Sequence, residues 1–501
     1  MVGSGIFITP TDVLKESGSV GLNLVIWMVS GLLSLLGGLT YTELGTSIHL
    51  SGCDFAYVTF VGWKSVAFIF LATSALIYEP CELAIMSKTF AIYVLEPFYG
   101  PEAESSTQLI PLIGLLTMYL LIFINLYRID RLATWTQVAT TVCKIGALLI
   151  IIAIGCVYLA KGQGIENFKN PFENSSTRVS SLVLAIYYGL WSYSGWETLN
   201  FCMEEVDNPK RNLPLSMLLG TTVMIVVYVL TNVAYVAVLG KDGLLASAAV
   251  AENFASKTWP ALSYAMPVLV CIAVAGSFNG DIFSSSRVYF TGARGGQLPS
   301  FLGLVHADYT TPQPALIFMA VLGTIAMQIK SIETLITAVS FLQYIQKAAA
   351  TAALIYIRWN RIPVHKDAVK FPLVFHCLYF LFSVCLVVLP IWDNWEVSLG
   401  GGLFVLLAAG IYALVFYKNC MPQPLLKLDR MLALFCQKVL MCVTDYESLE
   451  HATIDEATPN SAPNGHSVTT PENTPINRQT SYGTDGRTGA RASSNVYTVS
   501  R

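Results

Sequence analysis

Glu79, Glu82, Lys144 and Glu197 stand out among the ionisable residues inside long apolar stretches of the chain. A charged group at membrane depth is costly unless it is paired, so each is a functional hypothesis by default. Lys144 lies about 12 residues into a run that begins near residue 133. At 1.5 Å per residue that is roughly 18 Å deep, too far to snorkel. It either joins elements of a site or faces a polar crevice with structural work alone. Glu79-Pro80-Cys81-Glu82 puts two carboxylates midway along an apolar run. The cationic side chain of a ligand would balance them, and so would a bound proton or an internal base.

Two backbone interruptions accompany these charges. One is Gly3-Ser4-Gly5-Ile6-Phe7, with Pro10 soon after; the other is Tyr193-Ser194-Gly195-Trp196-Glu197-Thr198, inside the run 180–202. Glycines weaken a helix and free backbone amides. Polar backbone at membrane depth is tolerated only where it lines a cavity or is buried in protein. Paired Gly-interrupted segments in two halves of a chain point to an inverted-repeat transporter. Half-helix N-termini would offer N–H groups to a carboxylate, and unwound carbonyls would accept from an ammonium. An amino acid zwitterion carries both groups. Packing of small residues between helices is the competing account of Gly3, Ser4 and Gly5.

The elements that must position these residues are membrane helices. The chain has 501 residues, 29 Lys+Arg against 32 Asp+Glu (net charge −3), 54% hydrophobic and 12% charged residues. A soluble domain carries about twice that charged fraction, which excludes a water-soluble enzyme. No basic excess exists to neutralise phosphates, which excludes nucleic acid as a partner. A span needs ~20 apolar residues; ~12 spans would use about half the chain. Apolar runs predict spans near 22–45, 65–96, 109–127, 133–160, 180–202, 213–239, 262–291, 314–330, 332–357, 372–391 and 398–417, with a half-span over 3–15.

Loop charges give the orientation. Arg128 and Arg131, Lys210 and Arg211, and Arg358, Arg361, Lys366 and Lys370 mark cytosolic loops, whereas 96–107 carries Glu96, Glu102 and Glu104 and no base. The loop 161–178 then lies outside, with the sequon Asn174-Ser175-Ser176. Residues 1–418 form the transmembrane domain and 419–444 a cytosolic juxtamembrane segment. After Leu449 the chain lacks Leu, Phe, Trp, Met and Cys, so 445–501 is read as a disordered cytosolic tail. Tyr446-Glu447-Ser448-Leu449 is a sorting signal or plain tail. The start of the chain shows no cleavable signal peptide. The 11 cysteines are scattered without a CxxC pair, and no metal or other cofactor is expected. The six histidines fall mostly in loops and tail, against a membrane-embedded enzyme.

Several motifs in combination resemble one family: Gly3-Ser4-Gly5-Ile6-Phe7, Tyr41-Thr42-Glu43-Leu44-Gly45, Ser194-Gly195-Trp196, Glu204-Glu205 with Asn208-Pro209 through Pro214, and Asn279-Gly280 with Ser285-Ser286-Arg287. About residues 1–440 are similar to the L-type amino acid transporters, the light chains of heteromeric amino acid transporters in the amino acid–polyamine–organocation superfamily. The resemblance implies an all-α, LeuT-like 5+5 inverted repeat of about 12 helices and sodium-independent exchange at the plasma membrane. It implies substrate binding by Gly3, Ser4, Gly5, Ile6, Ser194, Gly195, Trp196 and Glu197, with Trp191 as an aromatic gate or plain core. It places Lys144 where sodium sits in coupled relatives, near Ser284 and Ser285. It also suggests that Glu43 is structural, that Arg287 snorkels, and that Glu204, Glu205 and Asp207 pair with Lys210 and Arg211.

The chain departs from the pattern in three ways. Glu79, Glu82 and Glu197 stand where neutral or basic residues are usual, which favours cationic beside neutral L-amino acids. The half-helix before Gly3-Ser4-Gly5 is missing, so the first helix is expected to be N-terminally truncated. The loop 96–108 has no cysteine for a disulfide to a single-span glycoprotein heavy chain. The expected function is amino acid exchange by alternating access; a non-transporting sensor with a transporter fold, or an inactive truncated isoform, is the alternative.

Overall fold

The computed structural model describes residues 3, 5–99, 109–127, 130–201, 203–247, 249–329, 331–391, 395–416 and 422–444. Ser4, Arg128 and the stretch 100–108 lie outside them. Contacts divide the chain into a unit 1–445 and a unit 446–501, and the second, with the expected tail, is wholly outside the described residues.

The helices in chain order are α1 (Gly5–Ile8), α2 (Pro10–Ser17), α3 (Val20–Ser47), α4 (Asp54–Phe60), α5 (Lys64–Thr73), α6 (Glu79–Tyr99), α7 (Leu109–Leu126), α8 (Asp130–Ala160), α9 (Val179–Ser192), α10 (Thr198–Phe201), α11 (Pro209–Leu245), α12 (Val250–Thr258), α13 (Pro260–Arg294), α14 (Gln313–Ala326), α15 (Ile332–Trp359), α16 (Leu373–Val388), α17 (Trp395–Ile411) and α18 (Gln423–Val439). A two-stranded antiparallel ladder pairs β1 (Leu304–His306) with β2 (Cys442–Thr444). Among the described residues, seven helical stretches are long and apolar enough to cross a membrane: 20–47, 64–99, 109–126, 138–160, 209–245, 262–294 and 373–391. The expected spans 180–202, 314–330 and 398–417 correspond to shorter apolar helices. α15 has the length of a span but carries Gln343, Gln346 and Lys347 in its middle, all buried against other helices. Sequence reading passed over α4, α12 and α18, whose length or mixed polarity hides them from an apolar-run search.

Local chemistry accounts for the breaks that shape the site. Ser19 is extended, and its hydroxyl accepts from Leu22 N at 3.3 Å, capping α3. Between α5 and α6 the helix widens into a π-turn, Ser74–Tyr78. Pro80 supplies no N–H and crowds the carbonyl four residues back. The Glu79 amide therefore donates to Ser74 O, five residues away, and the carbonyl of Ala75 accepts from the Tyr289 hydroxyl at 2.6 Å instead. The turn precedes Glu79 directly, a common position for π-turns relative to functional residues.

The two ends of the bundle are distinct. At one, Gly21 N donates to Pro171 O (2.6 Å) and Ser176 N to Ser17 O (2.8 Å), which brings the loop 161–178 to the start of α3. Asn174 is exposed there. At the other, the Glu43 carboxylate accepts from Arg358 Nε (2.5 Å) and Nη2 (3.0 Å), Phe371 N (2.9 Å) and His376 Nε2 (3.0 Å), tying α3 to α15 and α16. Glu204 meets Arg294 at 3.7 Å, and Lys210 meets Asp367 at 3.5 Å. The expected pairing of Glu204 with Lys210 or Arg211 is replaced by these longer-range partners, because loops distant in sequence converge at this end. The Glu205 side chain is outside the described residues. Arg287 lays its guanidinium 4.3 Å from the Phe283 ring centre. Nine cysteines among the described residues are free.

Candidate substrate site at the helix breaks

The unwound segment after α9 turns at Gly195, whose φ of 88° suits a residue without Cβ. Thr198 Oγ1 donates to Gly195 O at 2.9 Å, and Asn200 N to Glu197 O at 2.8 Å, restarting the helix as α10. The first break packs directly on this one. A Cβ placed on Gly5 would lie 2.5 Å from Ser192 Cα, and Thr9 and Ser192 share a hydroxyl–hydroxyl hydrogen bond of 2.6 Å. The starts of α1 and the end of α9 thus meet backbone to backbone.

Beside this meeting point lies a cavity of about 290 Å³. Its wall includes Gly3, Tyr78, Glu79, Glu82, Met86, Lys144, Ser194 to Leu199, Phe201, Ser277, Gly280, Asp281, Ser284 and Ser285. Gly3, Glu79, Glu82, Lys144, Ser194, Gly195, Trp196, Glu197, Ser284 and Ser285 are therefore gathered as the sequence suggested. Gly5 and Ile6 are buried in helix packing and lie outside this lining. Trp191 stands behind Glu82: its indole N–H donates to Glu82 Oε1 at 2.9 Å.

Each charged group has a specific environment. Lys144 donates to Ser277 Oγ at 2.7 Å, joining α8 to α13. The expected neighbours Ser284 and Ser285 share its cavity but face other partners. The Ser284 hydroxyl donates to Gly280 O and Asp281 O at 3.2 Å, and the Ser285 hydroxyl to Glu79 Oε2. Ser277 lies two helical turns before Ser284 on α13, so a lysine entering from α8 reaches it first.

Glu197 is paired within the protein. Lys347 Nζ on α15 lies 2.9 Å from its Oε1, and Gln343 Nε2 lies 3.3 Å from the same oxygen. Both members of the pair are buried, with side chains 3% and 8% exposed. The Lys347 ammonium also sits 4.5 Å above the Trp196 ring, a cation–π contact. Glu197 is thus held by an internal base, which removes the main reason to read it as a cation-recognition group. Glu79 and Glu82 instead have neutral donors, a hydroxyl and an indole N–H. Asp281 lines the same cavity, with Oδ2 buried and without a hydrogen-bond partner among the described residues.

A smaller cavity of about 30 Å³ shares Tyr78, Glu79, Glu197 and Phe201 with the first and continues to Gly52, Asp54 and Phe55. Lys347, Gln343 and Gln346 line it. It extends from the helix breaks towards the Glu43 end. Asp54, outside the long spans, accepts from the Tyr41 hydroxyl; burial pushes its carboxyl up to about 6.

Lys347, Asp281 and Ser277 were missed by sequence reading. The depth argument that singled out Lys144 applies equally to Lys347, which falls 15 residues after Ile332, and to Asp281 inside 262–291. Ser277 carried no signal.

Comparison with known proteins agrees with this architecture. The amino acid permease family profile matches residues 1–416. Amino acid transporter protein 6 of Caenorhabditis elegans is 38% identical over 418 residues, 83% of this chain and 80% of that protein. The human cystine/glutamate transporter is 36% identical over 415 residues (82% and 81%). The human large neutral amino acids transporter small subunit 2 is 36% identical over 459 residues (90% and 84%). With a family match across the whole helical region and relatives of this kind, the chain belongs to the amino acid permease family, in its L-type transporter branch.

Proposed function

We propose that the chain exchanges amino acids across the plasma membrane without sodium, by alternating access, and that its substrates include cationic as well as neutral L-amino acids. The observation that carries this reading is the cavity at the meeting of two broken helices. The first break, which reaches the cavity at Gly3, is assigned with Ser4 to the substrate carboxylate, and carbonyls of the unwound segment 193–197 to its ammonium. The side chain then faces Glu79, Glu82 and Asp281. A lysine or arginine side chain would supply the charge those carboxylates lack.

Lys144 supports sodium independence: its ammonium already bridges α8 and α13, so no coupling cation is needed there. The 5+5 repeat is the architecture this reading requires, and the placement of breaks in α1 and after α9 supports it. The Glu43 end is assigned to the cytosol because Lys210, Arg211, Arg358 and Arg361 gather there. The sequon loop then faces outward, and residues 445–501 form a cytosolic tail. A glycoprotein heavy chain would associate without a disulfide through 96–108, since that loop has no cysteine.

Uptake of labelled leucine and lysine into vesicles, with and without sodium and with trans-substrate, tests the proposal. Saturable flux that trans-substrate accelerates and sodium leaves unchanged is expected. Absence of saturable flux for either amino acid would remove the transporter reading.

A further inference from the structure

Helix α18 (Gln423–Val439) lies at the Glu43 end, beyond the last apolar helix. Residues 417–422 separate it from the π-turn that ends α17's run. That stretch spans at most roughly 25 Å of extended chain, so α18 starts within that distance of the end of α17's run. It is fastened there: Asp429 Oδ1 accepts from Ser300 N at 2.8 Å, Cys436 is buried, and β2 pairs with β1 directly after the helix.

The rest of α18 is divided by chemistry. Leu425, Leu428, Leu432, Phe435 and Val439 recur at spacings of three and four, which sets them on one stripe. All five are exposed, Phe435 at 58%. Met431 is exposed at the edge of that stripe, the exposed Lys427 and Lys438 follow on the same side, the exposed Arg430 lies opposite, and Leu426 and Leu434 are exposed off the stripe. The single acid of the helix, Asp429, is already engaged by Ser300 N. A helix with a continuous apolar stripe, three exposed bases on its other faces and no free acid suits an anionic interface.

We propose that α18 is an in-plane anchor whose apolar stripe enters the cytosolic leaflet and whose three basic residues bind anionic phospholipid headgroups. Charge favours lipid over a second copy of the helix, since the exposed bases of two copies would repel. Asp429 and β1 connect the anchor to the segment that follows α13, the helix carrying Asp281 and Ser285.

The test is amide hydrogen exchange of the full chain in nanodiscs of phosphatidylcholine alone and of phosphatidylcholine with phosphatidylserine. Slower exchange across 423–439, several-fold, is expected with phosphatidylserine. It should be lost in the combined Lys427→Glu, Arg430→Glu and Lys438→Glu variant while exchange in α3 and α11 stays unchanged, which shows that the variant folds. Equal exchange in both lipids, or protection that the charge reversal leaves intact, would overturn the proposal. So would protection in neutral detergent that grows with protein concentration, which would assign the stripe to a second copy.

Discussion

Lys347 on α15 holds Glu197 at 2.9 Å, joining a continuous helix to the unwound segment that follows α9. The contact lies where the main cavity meets the smaller one leading to Asp54. Breaking a buried pair costs more than the pair itself contributes, because the surviving charge stays buried. Lys347→Met or Glu197→Gln alone should therefore destabilise the protein by about 3–5 kcal/mol. The double variant should recover much of that loss. Thermal unfolding in detergent of the three variants measures this, and a double variant as unstable as the sum of the singles would argue against coupling.

Sequence reading linked Glu197 to cationic substrates, and the ion pair changes that expectation. Glu197→Gln should lower lysine and leucine uptake to the same extent. A selective loss of lysine uptake would return Glu197 to the recognition site.

Gly5 is where the two breaks touch. A methyl group there meets the Ser192 backbone, which cannot rotate away. Gly5→Ala should cost about 1–3 kcal/mol by overpacking and reduce maximal flux for every substrate. Flux and unfolding temperature, measured together, check this.

Asp54 gives a pH dependence of defined sign. Its folded carboxyl titrates at about 6, raised from 3.8 by burial, so the native state binds a proton that the unfolded chain releases. Stability from this group rises as pH falls from above 6 towards 4 and is lost as pH rises through 6. Asp54→Asn keeps an acceptor for the Tyr41 hydroxyl. It should be more stable than the parent at pH 7.5, by about 3 kcal/mol, with the gap closing near pH 4. Unfolding temperatures across that range provide the measurement.

The helices were legible because membrane spans announce themselves as long apolar runs. The breaks were legible because Gly195 and Gly3 interrupt those runs. What could not be read was partnership. Glu197 and Lys347 are 150 residues apart, and Lys144 chooses Ser277 over Ser285 by the way α8 crosses α13. The π-turn before Glu79 had no reading in the sequence, because the carbonyl it frees, that of Ala75, is taken by the Tyr289 hydroxyl from a distant helix. α18 escaped because its apolar residues form a stripe rather than a run.

The central claim is that the cavity at the helix breaks binds substrate and that Glu79 and Glu82 recognise a cationic side chain. Lysine and leucine uptake by the Glu79→Gln, Glu82→Gln double variant in proteoliposomes tests it most directly. At least a tenfold fall in kcat/KM for lysine, about 1.4 kcal/mol, is expected, with leucine within roughly threefold of the parent. Unchanged lysine transport, or equal loss for both substrates, would contradict it.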